Sequence, residues 1–175
     1  MQKFKWFLLV MFVAAVSWSF MVPAKEKINW VTINDLDALY KENPRPILVD
    51  LYTGWCGWCK VMDKNTYGNK KVAEYINEHY YAVKFDAESA KDVVFNGKTF
   101  KYNAEYRAHE LALQLTFGRL EFPHTIFLST PSARPAPLSG YLKPAEMEAP
   151  LKFFGSRADA VQTFVEFEKS LKKEW

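Results

Sequence analysis

An α/β fold, one sheet with helices on both faces, is predicted by three observations. Strand-like and helix-like segments alternate along the chain. The run Ile47-Leu48-Val49-Asp50-Leu51-Tyr52 is short and almost continuously apolar, the mark of a strand buried on both faces. The 151 residues from position 25 onward suit one domain with a real core.

The elements follow in order. Ile28–Thr32 reads as a short strand, and Asn34 as the cap of a helix running to about Glu42, with Leu36, Leu39 and Tyr40 on one face. Pro44 and Pro46 end that helix, and Ile47–Tyr52 is the buried strand. Thr53–Trp55 turn the chain, and Cys56 opens the next helix. A break at Tyr67-Gly68-Asn69 leads to a helix over Lys70–His79, then a strand over Tyr81–Asp86. Phe95-Asn96-Gly97-Lys98 signals a hairpin, because Asn-Gly supplies the positive φ angles of a two-residue turn. Asn103 is read as capping a helix to Leu115, with Ala108, Leu111, Ala112 and Leu115 at helical spacing. Thr125–Leu128 and Leu138–Tyr141 are the remaining strands. Pro144 starts a helix that Pro150 is expected to kink or divide and Gly155 to stop. Ser156–Asp159 is then read as capping a final helix with Val161, Phe164, Val165 and Leu171.

The chain has two cysteines, three apart, in Trp55-Cys56-Gly57-Trp58-Cys59-Lys60. A Cys-x-x-Cys pair at a helix start suits a disulfide that opens and closes, since free N–H groups and the helix dipole stabilise a thiolate there. The thiolate is the attacking species in disulfide exchange. Three plainer readings stand beside this one. A fixed structural bridge over so short a loop contributes only about 2 kcal/mol in the chain-entropy model. Zinc takes about four ligands, and His79, His109 and His124 are not at zinc spacing. An iron–sulfur cluster normally takes four thiolates. His79 and His109 are expected on helix surfaces.

Residues 1–24 read as an export signal: Lys3 and Lys5, an apolar run Trp6–Val16, then the small-residue site Val22-Pro23-Ala24. An uncleaved anchor is the alternative, though the apolar stretch Trp6–Val22 is 17 residues and holds Ser17 and Ser19. Two lysines and no acid lie in residues 1–24, so cleavage lowers the net charge from +3 to +1. That balance gives no reason to expect nucleic acid or an anionic membrane surface as partner.

The stretch Ile47–Lys60 resembles the strand, active-site loop and helix start of thioredoxins. Asp50, six residues before Cys56, matches the family's buried aspartate. Lys84, in Val83-Lys84-Phe85-Asp86, matches the lysine that faces it. Pro123, in Phe122-Pro123-His124-Thr125, matches the family's cis-proline, and Gly140 the glycine of the last strand. The resemblance covers about residues 28–155. Closer still are exported thioredoxin-like proteins with a Cys-Gly-x-Cys-Lys-x-Met motif, here Cys56 to Met62 followed by Thr66-Tyr67 and Val72. The outer domain of bacterial transmembrane thiol transporters is similar in this stretch. The resemblance implies a thioredoxin fold over residues 25–175: a central mixed sheet with helices on both faces, an inserted β-hairpin at Val93–Tyr102 and an extra C-terminal helix. Trp58 stands where thioredoxin has proline, and His124 where it usually has threonine, which leaves the redox direction open.

On this resemblance Cys56 is the nucleophile and the exposed sulfur, and Cys59 the deeper resolving thiol. Asp50 is the proton acceptor for Cys59, or else half of a structural ion pair with Lys84. Burial raises its pKa while Lys84 opposes that shift. Phe122 and Pro123 offer backbone to a substrate strand. Trp55 and Trp58 form an apolar rim, with packing near Asp50 as the alternative for Trp55. His124 tunes a thiolate or is an ordinary strand residue. The implied function is an exported, periplasmic thiol–disulfide oxidoreductase, a monomer with no cofactor beyond the Cys56–Cys59 disulfide. It exchanges with protein thiols and disulfides and is recharged by a membrane thiol donor. A reductase is the leading direction. An oxidant or isomerase, and a binding module with a fixed disulfide, are the alternatives.

Overall fold

A computed structural model describes residues 27–175. The expected export signal, residues 1–24, lies outside the described residues. Among the described residues no helix is long and apolar enough to cross a membrane.

The centre is a five-stranded mixed sheet. Its strands are β1 (Trp30–Val31), β2 (Ile47–Tyr52), β3 (Tyr81–Asp86), β8 (His124–Leu128) and β9 (Ala136–Ser139), in the order β1-β3-β2-β8-β9. β3 runs parallel to β1 and β2, while β8 is antiparallel to β2 and β9 to β8. The two-residue alternation of β2 feeds two cores. Ile47, Val49 and Leu51 join Leu36, Leu111, Leu115 and Ile126 on one face. Leu48 joins Met62, Val72, Ile76, Phe127, Met147 and Leu151 on the other. The helices are α1 (Leu36–Glu42), α2 (Gly57–Met62), α3 (Lys70–His79), α4 (Glu110–Leu115), α5 (Pro144–Gly155) and α6 (Phe164–Ser170). A π-helical turn, Asp63–Tyr67, continues α2.

The β2, β3 and α3 bounds are those the sequence predicts. The hairpin forms as β4 (Val93–Phe95) and β5 (Lys98–Phe100), with Asn96 and Gly97 at φ 50° and 69°. It stays apart from the central sheet and instead closes one core with Val93, Phe95 and Phe100, all buried. Its anchor is α1. The Asn96 and Gly97 N–H groups donate to the two carboxylate oxygens of Asp37 at 2.9 and 3.0 Å, and Val94 N–H donates to Asn34 at 2.7 Å. Asp37→Ala is therefore expected to lower stability by about 1.5–3 kcal/mol, the range for hydrogen bonds to a charged group. Urea unfolding reads this, and an unchanged midpoint shows that the turn stands without its anchor.

Several expectations are corrected. The first strand is only Trp30–Val31. Asn34 does not cap α1; it lies in a 3₁₀ turn, Ile33–Asp35, and its amide serves the hairpin. Asn103 does not cap α4 either. Its side chain accepts from Glu105 and Tyr106 N–H in a turn between β6 (Tyr102–Asn103) and β7 (Ala108–His109). The cap of α4 is His109, which is fully buried rather than on a surface. Its Nδ1 accepts Leu111 N–H at 3.2 Å, so the other ring nitrogen carries the proton toward the Lys91 carbonyl, 3.1 Å away. Burial succeeds because both ring nitrogens are partnered.

Pro150 does not divide α5. A proline inside a helix costs about 3 kcal/mol. Met147, Leu151 and Phe153 are buried from the same helix, and each contributes about 1.5–3 kcal/mol, which outweighs that cost. Gly155 is the last residue of α5 rather than its stop. A Cβ there meets the Tyr75 ring at 2.8 Å, so close packing requires the glycine. The last strand is Ala136–Ser139, not Leu138–Tyr141, and includes Pro137, which an edge strand tolerates. Thr163, not Ser156, caps the final helix through a capping box with Glu166. Val161 and Val165 are exposed, while Phe164 and Phe167 pack on Phe153.

Candidate active site

The site sits where β2 ends. Cys56 N–H donates to the Thr53 carbonyl at 3.2 Å, which fixes the turn, and Cys56 is the N-cap of α2. The pair is closed as the Cys56–Cys59 disulfide, with the Cα atoms 5.4 Å apart. The Cys59 N–H donates to Cys56 Sγ at 3.0 Å. In the reduced form that N–H is placed to hold a Cys56 thiolate, since hydrogen bonds to charged acceptors are the stronger ones.

The two cysteines are equally buried in this state, each 4% exposed. The solvent-facing part of the turn is aromatic. Trp55 is 68% and Trp58 61% exposed. Trp55 does not pack near Asp50. Its indole N–H donates to Glu88 at 3.0 Å, and its ring meets Phe122 edge-on at 5.9 Å. Trp58 stacks on Tyr141 at 5.6 Å. Trp58, Phe122, Pro123, Gly140 and Tyr141 line a groove of about 190 Å3. The Phe122–Pro123 peptide is cis. Gly140, at φ 93°, donates its N–H to the Pro123 carbonyl at 2.8 Å, a conformation that favours glycine.

A charged cluster centres on Asp50 of β2. Asp50 is 1% exposed, and its carboxylate is 2.7 Å from Lys84 Nζ, its register neighbour on β3. Burial pushes the Asp50 carboxyl up to about 6, against the pull of Lys84 and with help from Asp63. Burial lowers the Lys84 ammonium, but Asp50 and Asp63 outweigh it and the net shift is upward. Lys84 also pairs with Asp63, and its ammonium lies 4.9 Å from the Tyr52 ring centroid and 5.6 Å from that of Trp30. A cavity of about 360 Å3, lined in part by Trp30, Asp63, Tyr67 and Lys84, opens this cluster to solvent. Asp63 was legible only through its spacing: four residues after Cys59, one helical turn on.

His124 is placed apart from this cluster. Asp50 pairs in register with Thr125, whose hydroxyl meets Tyr67 Oη at 2.9 Å, while Leu51 pairs with His124. His124 therefore lies on the opposite sheet face. Burial lowers its pKa, with Glu121 pulling the other way. Among the described residues no group of three or more His, Cys, Asp or Glu is arranged to hold a metal ion.

Comparison with known proteins agrees with this geometry. The solved structures it resembles include one titled "DsbH Oxidoreductase", at TM-score 0.52 and 14% identity, covering 74% of this chain and 85% of that one. A thioredoxin-fold protein from Helicobacter pylori matches at TM-score 0.55 and 17% identity over 84% of each chain. These likenesses show the thioredoxin fold. By sequence the chain is 29% identical over 113 residues to "Uncharacterized protein B0495.5" of Caenorhabditis elegans, and 27% over 110 residues to "Spermatogenesis-associated protein 20" of Rattus norvegicus. Those stretches are 65% and 63% of this chain but only 14% and 12% of the two relatives. The family model Thioredox_DsbH, described as "Protein of unknown function, DUF255", matches residues 14–173. With a Cys-x-x-Cys disulfide at the end of the central strand of a thioredoxin fold, the chain belongs to this DUF255 thioredoxin-like family.

Proposed function

We propose that this chain is an exported thiol–disulfide oxidoreductase that reduces protein disulfides through Cys56 and Cys59. The observation that carries the reading is the geometry at Cys56, whose sulfur caps α2 and receives the Cys59 N–H. In the reduced protein the Cys56 thiolate attacks one sulfur of a substrate disulfide. The substrate S–S bond breaks, the leaving thiolate takes up a proton, and a mixed disulfide forms. Asp50, ionised above its raised pKa, accepts the Cys59 proton. The Cys59 thiolate then attacks Cys56 Sγ and releases the second substrate sulfur, which leaves as a thiol once protonated. Two electrons and two protons pass to the substrate, and the Cys56–Cys59 disulfide returns. The groove beside Pro123, rimmed by Trp55 and Trp58, receives the substrate strand, and the Phe122 backbone supplies edge hydrogen bonds.

A reductant of this kind in a periplasm-like space requires a dithiol donor to recharge it, and a membrane thiol transporter has that chemistry. Residues 1–24 are the proposed export signal, and the protein acts as a monomer. The test is the equilibrium of the Cys56–Cys59 pair with glutathione, read by alkylation of free thiols. A reductase poises well below the compartment's glutathione couple. A potential above it assigns an oxidant or isomerase. A pair that never equilibrates leaves a binding module with a fixed disulfide. Iodoacetamide labelling of the reduced protein against pH is expected to show one fast site, Cys56, with a midpoint below the free-thiol value of about 8.5. Faster labelling of Cys59 reverses the two roles.

A further inference from the structure

Asp63 joins the redox helix to the buried ion pair. Its N–H donates to the carbonyls of Cys59 and Lys60, and it opens the π-helical turn Asp63–Tyr67. Single π turns within helices are frequent at functional sites. The Asp63 carboxylate pairs with Lys84, whose ammonium also lies 2.7 Å from the Asp50 carboxylate. One cation therefore serves two carboxylates of unlike exposure: the Asp50 side chain is 2% exposed, the Asp63 side chain 42%. Asp63 and Lys84 line the cavity that opens to solvent, and Asp50 lies behind them.

The charge balance of these three side chains decides how readily Asp50 takes a proton. With both carboxylates ionised the group carries one net negative charge, and it becomes neutral when Asp50 is protonated. Without Asp63, protonation of Asp50 leaves the Lys84 ammonium with no ionised partner among the described residues. An uncompensated charge that is partly withdrawn from water is the costly outcome. Asp63 removes that cost, and it also repels negative charge on Asp50. Burial is the largest cause of the raised Asp50 carboxyl, Lys84 opposes it, and Asp63 adds to it. The other titratable group facing Asp50 is Tyr67 of the same π turn, which burial keeps neutral. Thr125 of β8 faces it with an uncharged hydroxyl, bound to Tyr67.

We propose that Asp63 is a positioning residue of the redox reaction: it is the standing counter-ion of Lys84 and so frees Asp50 to take the Cys59 proton. The counter-ion role stands on the geometry by itself, whereas its use in resolution rests on the redox reading above. In that step the Cys59 S–H bond breaks, its proton passes to an Asp50 oxygen, and the Cys59 thiolate is left to attack Cys56 Sγ. Lys84 remains paired with Asp63 throughout.

The first measurement is the NMR pH titration of the Asp50 carboxyl carbon in the oxidised full chain, where neither cysteine titrates. In Asp63→Asn the Asp50 midpoint is expected to fall from about 6 toward the ordinary value of 3.8, because Lys84 then serves Asp50 alone. Asp63→Glu is expected to restore it. Should the asparagine disturb the turn, seen as a loss of native circular dichroism, Asp63→Ser reads the same shift. An unchanged Asp50 midpoint overturns the proposal. The second measurement is the rate of mixed-disulfide resolution against pH, followed by rapid quench as release of the second thiol of a peptide disulfide. The acid limb is expected to move down with the Asp50 midpoint in Asp63→Asn. The rate at neutral pH is expected to fall severalfold, since a weaker base drives proton transfer less. A merely structural role for Asp63 lowers the rate without moving that limb, and this result overturns the proposed role in resolution. If the Asp50 midpoint falls in Asp63→Asn but no variant, nor the parent protein, exchanges with the peptide, the redox reading fails and the counter-ion role alone stands.

Discussion

Cys59→Ser is expected to stop catalytic turnover and to leave Cys56 covalently joined to its substrates. The first attack needs only the Cys56 thiolate, held by the N–H of residue 59, and that backbone group survives the substitution. The second attack needs a sulfur at position 59, and a serine hydroxyl does not displace a thiolate from a disulfide under these conditions. Reduction of insulin is expected to fall to the uncatalysed background in both Cys59→Ser and Cys56→Ser proteins. Only the Cys59→Ser protein is expected to show adducts on non-reducing gels of its host, adducts that vanish with reductant. If neither variant forms adducts although the remaining thiol is free, the site does not exchange with proteins, and the disulfide is a fixed part of a binding module. If Cys56→Ser forms them instead, attack begins at Cys59. The equal burial of the two cysteines in the disulfide state makes this comparison informative, because residue exposure alone does not choose between them.

Asp50→Asn is expected to stabilise the fold and to slow resolution, with both effects tied to pH. The Asp50 carboxyl is raised from 3.8 to about 6, chiefly by burial. Between those values the folded protein binds more protons than the unfolded chain. The Asp50 contribution to stability is therefore greatest below about pH 4 and falls as pH rises through about 6. A shift of about two units corresponds to about 3 kcal/mol. The advantage of the asparagine variant is expected to grow by about that amount between pH 4 and 7, and to be level above. Lys84 is not stranded by the change, because Asp63 remains its partner. That separates this case from the breaking of an isolated buried pair, which costs about 3–5 kcal/mol. Urea unfolding at pH 4 and at pH 7 measures it. A less stable variant at pH 7 shows that the ion pair with Lys84 outweighs the burial. In the same protein, resolution of the mixed disulfide is expected to slow by on the order of 10²-fold, as for loss of a general base. Unchanged turnover at neutral pH removes Asp50 from the mechanism.

The elements that the sequence located well share a local cause. Ile47–Tyr52 and Tyr81–Asp86 are strands whose apolar content leaves no other place for them than the middle of a sheet, and their parallel register then sets Asp50 opposite Lys84. Asn96-Gly97 makes its turn because the backbone conformation is intrinsic to those residues. Asn69 caps α3 with its own side chain, so the helix starts where the sequence places it. Misplaced boundaries have a common cause too. Asn34 and Asn103 are good caps by type, but a side-chain amide serves one set of donors, and here those donors lie in the hairpin and in a turn. His109 is a cap only because the packing brings the Lys91 carbonyl to its other nitrogen.

By itself the sequence determined the α/β class and the Cys-x-x-Cys pair at the end of a buried strand, and its resemblance to thioredoxins pointed to the aspartate and lysine that pair across β2 and β3. The first two follow from residue type, two-residue alternation and short spacing, all of which act within a few residues. Tertiary structure alone decided the rest. It continued α5 through Pro150 without a break, because burial of its neighbours outweighs one lost hydrogen bond. It added Asp63 to the Asp50–Lys84 pair, since the turn after α2 returns that carboxylate to the ammonium. It separated His124 from Asp50, because two neighbouring register positions on β2 face opposite sides of the sheet. Which charges meet depends on distances between elements remote in sequence, and those distances exist only once both cores have closed.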